Sequence, residues 1–422
     1  MIRRIATLVL ALTASANAAP PAEVTVDQAV ALLATSPRMT ANRAAIDVAA
    51  ADVVDARQHP NPTLDLSGSR TVAGSDTING WQPSIGIDVP ILIGHQRARR
   101  GEAARDRVTA ARAEVAATTG DAELDVRARF AALLVAQEQQ TLLAAALADA
   151  RTLREIVAGR SAAGAGSPYA VQRIELAISE LASRLDEANS ARIAAAGELA
   201  ATVGAPGWQP HALGALDTAS PGVTASPSVT GAAGDTTTSA GAPPASALAI
   251  DANHPQLVAD RAAHAAALAE IEVARADAVP TPTFGLHAFT TSDPNSLALS
   301  LGVSIPLPLF DKNRGAIARA RADATRTELE LAARQTELTT ALDRATSVLA
   351  ARRDAAQRFA AELQRLPALR TMAETSYRSG QGGIVELLDA LDAITDARLR
   401  DLELRSAVAE AALDVRRAAR GH

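Results

Sequence analysis

The sequence has no cysteine, a single lysine and few aromatic residues, which make up 2% of its 422 residues. Without thiols, the chain cannot form a disulfide framework, a thiolate metal site or a cysteine nucleophile. Its formal net charge is -6 at pH 7, and a chain with this balance lacks the basic field that binds nucleic-acid phosphates. The composition therefore excludes a thiol enzyme and a disulfide scaffold, and it disfavours a nucleic-acid-binding protein.

Apolar residues form 48% of the chain and are dominated by alanine and leucine. Such side chains, with so few aromatics, suit long and closely packed helices better than a thick globular core. We therefore expect an elongated, helix-rich protein. Steps of seven, four, three and four residues, the spacing of a coiled-coil seam, separate Leu331, Leu338, Leu342, Ala345 and Leu349.

The first residues have the features of an export signal. Arg3 and Arg4 precede an apolar stretch from Ile5 to Leu12, and Ala16-Asn17-Ala18 supplies the small residues of a signal-peptidase site. We expect residues 1–18 to be removed on export. No cysteine follows, which excludes a bacterial lipoprotein anchor, and no later run of 18 uncharged apolar residues predicts a transmembrane helix. A chain of this kind could span a bilayer only as a barrel.

The chain contains an internal duplication. Pro37 to Ala45 aligns with Pro255 to Ala263, and Ile85 to Leu92 aligns with Val303 to Phe310, both at an offset of 218 residues. Residues 204–247 are rich in Gly, Pro, Ser, Thr and Ala and carry almost no charge, which is typical of a flexible linker. The predicted organisation is a signal peptide, a first repeat over residues 19–203, the linker over residues 204–247 and a second repeat over residues 248–422.

Each copy has the same order of elements: a helix, a strand pair, a long helix, a short break and a further helix. The main helices are expected over residues 27–58, 95–158, 251–278 and 312–378. Pro367 should bend or break the last of these. The clearest strand runs from Ser296 to Ile305, where apolar and small polar residues alternate with a period of two. Three further strands, making four per chain, are expected over residues 63–71, 81–89 and 283–291.

The four predicted strands combine an apolar face with a small polar face, and a sheet of this kind has two open edges. Open edges are not tolerated in lipid, and the smallest membrane barrels have about eight strands. One chain therefore cannot close a barrel. We expect several copies to share one, with the polar faces around a water-filled lumen.

The order of elements and several sequence strings resemble the TolC family of bacterial outer-membrane efflux proteins over essentially the whole mature chain. The resemblance implies a mainly α fold with a small β part. In that family three protomers share a twelve-stranded transmembrane β-barrel, with four strands from each chain, and their long coiled-coil helices form an α-helical barrel across the periplasm. The string Ser304 to Ala320, SIPLPLFDKNRGAIARA, is similar to the subgroup that serves heavy-metal pumps of the resistance-nodulation-division class.

This resemblance implies a passive channel in the bacterial outer membrane. The expected partners are two further copies of the chain in a homotrimer, outer-membrane lipid, a periplasmic adaptor (membrane fusion) protein and an inner-membrane resistance-nodulation-division pump. Heavy-metal cations are the first expectation for the solute, with organic toxicants or drugs as the alternative. No cofactor is implied.

The second hairpin resembles the family's periplasmic entrance. Glu386 and Asp389 match two acidic residues that line the constriction there, with Glu in place of Asp at the first position. A spacing of three places both carboxylates on one helix face, and an ordinary solvated face is the alternative. Tyr377 and Arg378 lie in the matching string and are expected to hold the entrance shut by hydrogen bonds to a neighbouring helix. Plain packing is the alternative for Tyr377.

Glycines mark the breaks of both hairpins. They include Gly164, Gly166, Gly380 and Gly382. The resemblance implies that these glycines lie at tips gripped by the adaptor, and simple helix punctuation is the alternative. Ser167 is the expected N-cap of the helix after the first break, and Pro168 is its expected first residue.

Other classes of function have weaker support. No G-x-S-x-G, H-E-x-x-H or phosphate-binding glycine loop is present, so that an enzyme is not expected. The seven histidines form no ligand pair with metal spacing, and no metal site is predicted. A soluble periplasmic coiled-coil adaptor or structural protein would also be helical and exported. Such a protein would not need two strand pairs suited to lipid.

Overall fold

The computed structural model describes residues 20–70, 81–216, 250–290 and 297–419. The predicted signal peptide and most of the predicted linker lie outside these residues. Within them the chain is mostly helical with a small β part, as the sequence predicted.

Eight helices are described. The first copy of the duplication contains α1 (Val26–Leu33), α2 (Pro37–Ala56), α3 (Gln96–Ala162) and α4 (Pro168–Val203). The second copy contains α5 (Pro255–Ala276), α6 (Arg314–Leu363), α7 (Leu366–Ser379) and α8 (Ile384–Ala419). The helices predicted over residues 95–158 and 251–278 are confirmed to within a few residues at each end.

Two of the predicted helices are each divided in two. The helix expected over residues 27–58 is interrupted between Leu33 and Pro37, because proline has no N–H to donate and is favoured at the start of a helix. The prediction of one continuous helix was wrong there. The helix expected over residues 312–378 is interrupted beside Pro367, which confirms the predicted break.

Six strands are described: β1 (Glu23–Val24), β2 (Thr63–Arg70), β3 (Trp81–Pro90), β4 (His211–Ala212), β5 (Thr283–Thr290) and β6 (Leu297–Ser304). The four longer strands form an antiparallel sheet in the order β2-β3-β5-β6, which confirms the four predicted strands. The copies of the duplication meet at the β3–β5 pair. The short strands β1 and β4 pair in parallel, a ladder that the sequence did not predict.

The apolar side chains of the sheet lie on an exposed face. In β3 the exposed residues alternate with buried or half-buried ones, and exposure reaches 79% at Leu301 of β6. The opposite face has small polar residues and a contact of 3.3 Å between His287 Nε2 and Asp88 Oδ1. A sheet in water buries its apolar face, so that this arrangement is the one expected of a sheet that faces lipid.

The chain divides into two compact units, and each takes segments from both copies of the duplication. Unit 1 comprises Met1–Pro37, Glu123–Ser228 and Leu349–Leu413, and unit 2 comprises Arg38–Ala122, Val229–Val348 and Asp414–His422. The four-stranded sheet belongs to unit 2, and the connections of both helical hairpins, α3–α4 and α7–α8, belong to unit 1. The repeat boundaries given by the sequence stay a prediction.

Residues 204–216, the first part of the predicted linker, are described in unit 1. The indole of Trp208 is buried and donates a hydrogen bond of 2.8 Å to the carbonyl of Pro21. The backbone N–H of His211 donates to the carbonyl of Ala22 at 2.7 Å. This segment therefore packs against the strand that precedes α1.

The predicted apolar seam of α6 is confirmed. Four of its five residues are buried and Leu331 is half-buried. In unit 1 a comparable cluster packs α3 against α4 and contains Leu143, Leu147, Ala150, Leu181 and Ala188. Long helices of this composition are held by such interdigitated leucine and alanine side chains.

One helix, α3, contains an 18-residue stretch that is long and apolar enough to cross a membrane. The sequence prediction concerned uncharged runs of 18 residues, and every 18-residue stretch of α3 contains at least one charged residue. Of the stretch, 39% is buried inside the fold, and the core helix of a soluble protein has the same composition.

Candidate functional site

The two helical hairpins of unit 1 end in the same backbone geometry. Gly164, just after α3, has φ of 73°, and Gly380, just after α7, has φ of 78°. Both values lie in the left-handed region that glycine adopts without strain. The N–H of Ala165 then donates to the carbonyl of Arg160, and the N–H of Gln381 donates to that of Ser376, at 2.9 and 3.0 Å. The glycine breaks predicted from the sequence thus end both helices.

The helix after the first hairpin begins as predicted. Ser167 is the N-cap of α4, and its side chain accepts a hydrogen bond from the N–H of Tyr169 at 3.2 Å. Pro168 is the first residue of the helix. Gly166 and Gly382 lie within the two connections, next to the starts of α4 and α8.

The side chain of Arg160 joins the two hairpins. Its Nη1 donates hydrogen bonds to the carbonyls of Tyr377 and Arg378, the second at 2.7 Å, and its Nη2 donates to the carbonyl of Ala165 at 3.3 Å. Its guanidinium carbon lies 5.0 Å from the centroid of the Tyr377 ring, within the range of a cation–π contact. One arginine therefore caps the carboxyl end of α7 and holds its own hairpin connection.

The ring of Tyr377 packs in a core beneath this contact. It is 6% exposed and belongs to a cluster with Val157, Ile174, Ile384 and Leu387. Tyr377 thus packs with its ring and accepts a hydrogen bond with its backbone carbonyl. From the sequence we expected either a hydrogen bond to a neighbouring helix or plain packing. The side chain of Arg378 is exposed at 60%, and its Nη2 lies 3.9 Å from a carboxylate oxygen of Glu374.

The acidic residues singled out in the sequence lie at the start of α8. Glu386 is in the first turn, where a carboxylate is stabilised by the helix dipole, and Asp389 follows one turn later. Both are exposed, whereas Leu387 and Leu388 between them are buried. Both carboxylates lie on one face of α8, at the predicted spacing of three, and both are exposed. Whether that face lines a pore stays a prediction.

Two further aspartates continue this face and were not singled out from the sequence. Asp392 and Asp396 follow Asp389 at steps of three and four, the spacing of one helix face. Asp396 accepts a hydrogen bond from Arg184 of α4 at 2.8 Å. The spacing alone, extended by two more turns, would have identified both residues. We call Glu386, Asp389, Asp392 and Asp396 the acidic face of α8.

Asp392 has a perturbed ionisation. Partial burial raises its pKa above the ordinary value, and the nearby carboxylates of Glu180, Asp396 and Asp389 raise it further, against the opposing charge of Arg184. The side chain still reaches water, and water weakens this repulsion. The acidic face therefore contains one carboxylate, that of Asp392, whose pKa is raised.

Arg370 of α7 ties the second hairpin to α3. It donates to Asp149 of α3 at 2.7 Å and to Glu374 of its own helix at 2.8 Å. These hydrogen bonds, Asp149 first, raise the pKa of the guanidinium further above its ordinary value. Arg370 and Asp392 line the same small cavity, of about 30 Å³.

A metal site was not expected from the sequence. Over the residues that the structure describes, no three His, Asp or Glu side chains come together in a way that could hold a metal ion. The expectation that the chain has no resident metal or cofactor stays a prediction.

Comparisons with known proteins bear on both the family and the fold. Residues 29–205 and 249–420 match the family described as outer membrane efflux protein. No curated protein sequence matches the chain. The two matched segments fall one on each copy of the duplication.

Three solved structures are similar to this fold. The channel CusC has a TM-score of 0.73 at 16% identity and covers 94% of this chain and 92% of its own. The outer membrane protein VceC of Vibrio cholerae has a TM-score of 0.70 at 17% identity and covers 93% of this chain and 95% of its own. The outer membrane channel MtrE of Neisseria gonorrhoeae, in its open state, has a TM-score of 0.69 at 17% identity and covers 93% of this chain and 88% of its own. At these identities the likeness establishes the fold, and the predicted fold class is confirmed.

Proposed function

The chain belongs to the outer membrane efflux protein family, and we propose that it forms the exit channel of a three-component efflux system. Its place is the bacterial outer membrane, with helices that extend into the periplasm. The chain is an efflux protein rather than a member of an enzyme family. The observation that carries the proposal is the four-stranded sheet with its exposed apolar face.

This sheet lacks a partner strand on two sides. Among the described strands, β2 and β6 each pair on one edge only. Unpaired N–H and C=O groups cost several kcal/mol each in lipid, so that a membrane sheet must close on itself. Four strands are about half of the smallest barrel known. Three copies would supply twelve strands and place their polar faces, including Asp88 and His287, around a lumen.

The oligomeric state tests this step. The full-length mature chain, purified in mild detergent, should have the protein mass of three copies by light scattering corrected for the detergent. It should also form ion-conducting pores in a planar bilayer. A monodisperse single chain without conductance, or a chain released by osmotic shock with the soluble periplasmic proteins, would support the alternative of a coiled-coil adaptor.

The entrance of the channel is proposed at the hairpins. Three copies would bring six carboxylates of Glu386 and Asp389 around one axis, where their repulsion favours cations or protonation. Arg160, through the backbone of Tyr377 and Arg378, would hold the hairpins of each chain together in the closed state. The exposure of both carboxylates and the hydrogen bonds of Arg160 support this assignment.

The hairpin tips are the proposed contact for a periplasmic adaptor, which would couple the channel to an inner-membrane pump of the resistance-nodulation-division class. These tips contain Gly164, Gly166, Gly380 and Gly382, and neither of the two connections contains a helix. Cross-linking from cysteines introduced at Ala165 and Gln381, in cells that contain the pump and adaptor, should capture the adaptor. Cysteines at exposed Ser179 should not.

The proposed solutes are heavy-metal cations. The acidic face of α8 supports a cationic solute, and the similarity of Ser304 to Ala320 to the heavy-metal subgroup points the same way. Deleting the gene should make the host more sensitive to zinc, cobalt or copper salts, and the wild-type chain should restore tolerance. Sensitivity confined to dyes and detergents would assign the channel to organic toxicants.

A further inference from the structure

The apolar face of the sheet continues beyond the ends of its strands. β6 ends at Ser304, yet the alternation goes on through Ile305, Leu307 and Leu309, which are 54, 72 and 70% exposed. β3 ends at Pro90, and Ile91 and Ile93 continue its pattern in the same way at 42 and 55%. The apolar surface is therefore longer than the paired strands.

Both extensions leave the sheet at the same end. β3 is antiparallel to β5, and β5 is antiparallel to β6, so that β3 and β6 run in the same direction. Each is followed by a long helix, α3 or α6. This inference rests on the proposed function, in which these helices extend into the periplasm. The extensions then lie at the periplasmic boundary of the bilayer.

The two extensions differ in the charges that follow them. After the first comes Arg97, whose guanidinium donates a hydrogen bond to His59 Nε2 at 2.6 Å. Arg99 and Arg100 follow and are paired with Glu102 and Asp277 at 2.9 and 2.8 Å. After the second come Lys312, the only lysine of the chain, and Arg314. Both are exposed, and neither forms an ion pair with any residue that the structure describes.

The turn that presents Lys312 is fixed by its neighbours. Asp311 Oδ1 accepts a hydrogen bond from the N–H of Asn313 at 2.8 Å, so that this carboxylate is engaged with the backbone. Asn313 has φ of 57°, and its side chain donates to the carbonyl of Ala274 on α5 at 2.7 Å. Phe310, immediately before the turn, is 100% exposed.

We propose that the connection from Ile305 to Arg314 binds the headgroup of an anionic phospholipid at the periplasmic leaflet. Leu307, Leu309 and Phe310 enter the acyl boundary, and Lys312 with Arg314 pairs with the phosphate. An amphipathic segment with apolar side chains on one side and free cations beside them fits the boundary between acyl chains and phosphates. After the first extension Arg97 is hydrogen-bonded to His59, and Arg99 and Arg100 are paired with carboxylates. We therefore expect this extension to take lipid without the charge preference.

The test is lipid retention by the full-length protein. The protein is mixed in detergent with equal amounts of phosphatidylglycerol and phosphatidylcholine, and the retained lipids are counted by native mass spectrometry. We expect phosphatidylglycerol to be retained preferentially. Lys312→Gln with Arg314→Gln should lower that preference by about fivefold per cation, while Phe310→Ser should lower the retention of both lipids.

The matched control is Arg99→Gln with Arg100→Gln, which removes the same charge from the first extension and should leave the preference unchanged. Equal retention of the two lipids by the wild type would overturn the proposal, and so would an unchanged preference in the Lys312 and Arg314 variant. Displacement of phosphatidylglycerol by millimolar inorganic phosphate would overturn it in favour of a free-phosphate site. Mass and conductance are measured on the same samples. Loss of the lipid preference in a conducting trimer leaves the channel function intact, whereas a single non-conducting chain defeats the channel proposal itself.

Discussion

Arg160 contacts Tyr377 in two ways. Its guanidinium carbon lies 5.0 Å from the centroid of the Tyr377 ring, and its Nη1 donates a hydrogen bond to the Tyr377 carbonyl. The two residues are 217 positions apart and belong to different copies of the duplication. Because the carbonyl of Arg378 is also an acceptor, the contact joins the ends of α3 and α7 through two charge-assisted hydrogen bonds. If the hairpins form the channel entrance, this contact is the part of each chain that keeps them together.

Replacing Arg160 with Ala should loosen the second hairpin. It removes hydrogen bonds from a charged donor to carbonyls at the end of α7, and we expect a loss of about 1.5–3 kcal/mol in the free energy of unfolding. Thermal unfolding measures this, and single-channel recordings should show more frequent opening. Arg378→Ala is the matched control, since it removes an exposed guanidinium and leaves both carbonyls in place. Equal effects of the two variants would contradict the assignment.

Replacing Glu386 and Asp389 with Ala should raise single-channel conductance and weaken block by multivalent cations. Both changes follow from the removal of two negative charges per chain near a shared axis. The control is Glu403→Ala with Glu410→Ala, which removes the same charge from exposed positions farther along α8. If conductance and block stay as in the wild type, the two carboxylates do not line the entrance, and the face is an ordinary solvated one.

Asp392→Asn should stabilise the protein at neutral pH. The raised pKa means that the folded state binds this proton more tightly than the unfolded state does, so that stability is lost as the pH rises through the folded pKa. The variant avoids that loss. Because water screens the site, we expect a gain of only about 0.2–0.5 kcal/mol at pH 7.

Thermal unfolding across pH checks this prediction. The advantage of the variant should fall to zero toward acid pH, where the wild-type carboxyl is protonated in both states. Asp354→Asn is the matched control, at an exposed position on α6 that forms no ion pair with any residue the structure describes. A variant that is destabilised at pH 7 would mean that the charge of Asp392 has a favourable partner.

Leu301→Arg should disrupt membrane assembly. Leu301 is 79% exposed, and a substitution at such a position on a sheet in water costs little. On the lipid face of a barrel, an arginine costs about 2–4 kcal/mol near the middle of the bilayer. The yield of trimer from outer membranes measures the effect. Ser300→Arg, one residue away on the polar face, should assemble much better, and equal yields would argue against a lipid-facing sheet.

The features that could be predicted from the sequence are those that depend on residues close together along the chain. The period of two in β6, the Ser167-Pro168 helix start and the break beside Pro367 each follow from a few adjacent residues. The acidic face of α8 was found for Glu386 and Asp389 and missed for Asp392, although the same spacing continues. Reading one further turn would have been enough.

Other features could not be derived in this way. The acceptors of Arg160 are backbone carbonyls, which every residue has and no sequence pattern marks. The ladder of β1 and β4 is two residues long, too short for an alternation to be recognised. The raised pKa of Asp392 comes first from partial burial and then from the charge of Glu180 on α4, and neither cause can be read from spacing along the chain.

The hydrogen bonds of Arg160 also constrain how its surroundings can change over evolution. A peptide carbonyl is the same whatever side chain follows it, so that position 378 is open to replacement while its acceptor persists. Position 160 should tolerate no replacement, not even lysine. A lysine side chain lacks the planar guanidinium that contacts two successive carbonyls and an aromatic ring together. Related chains should therefore vary at one partner of the contact and hold the other constant.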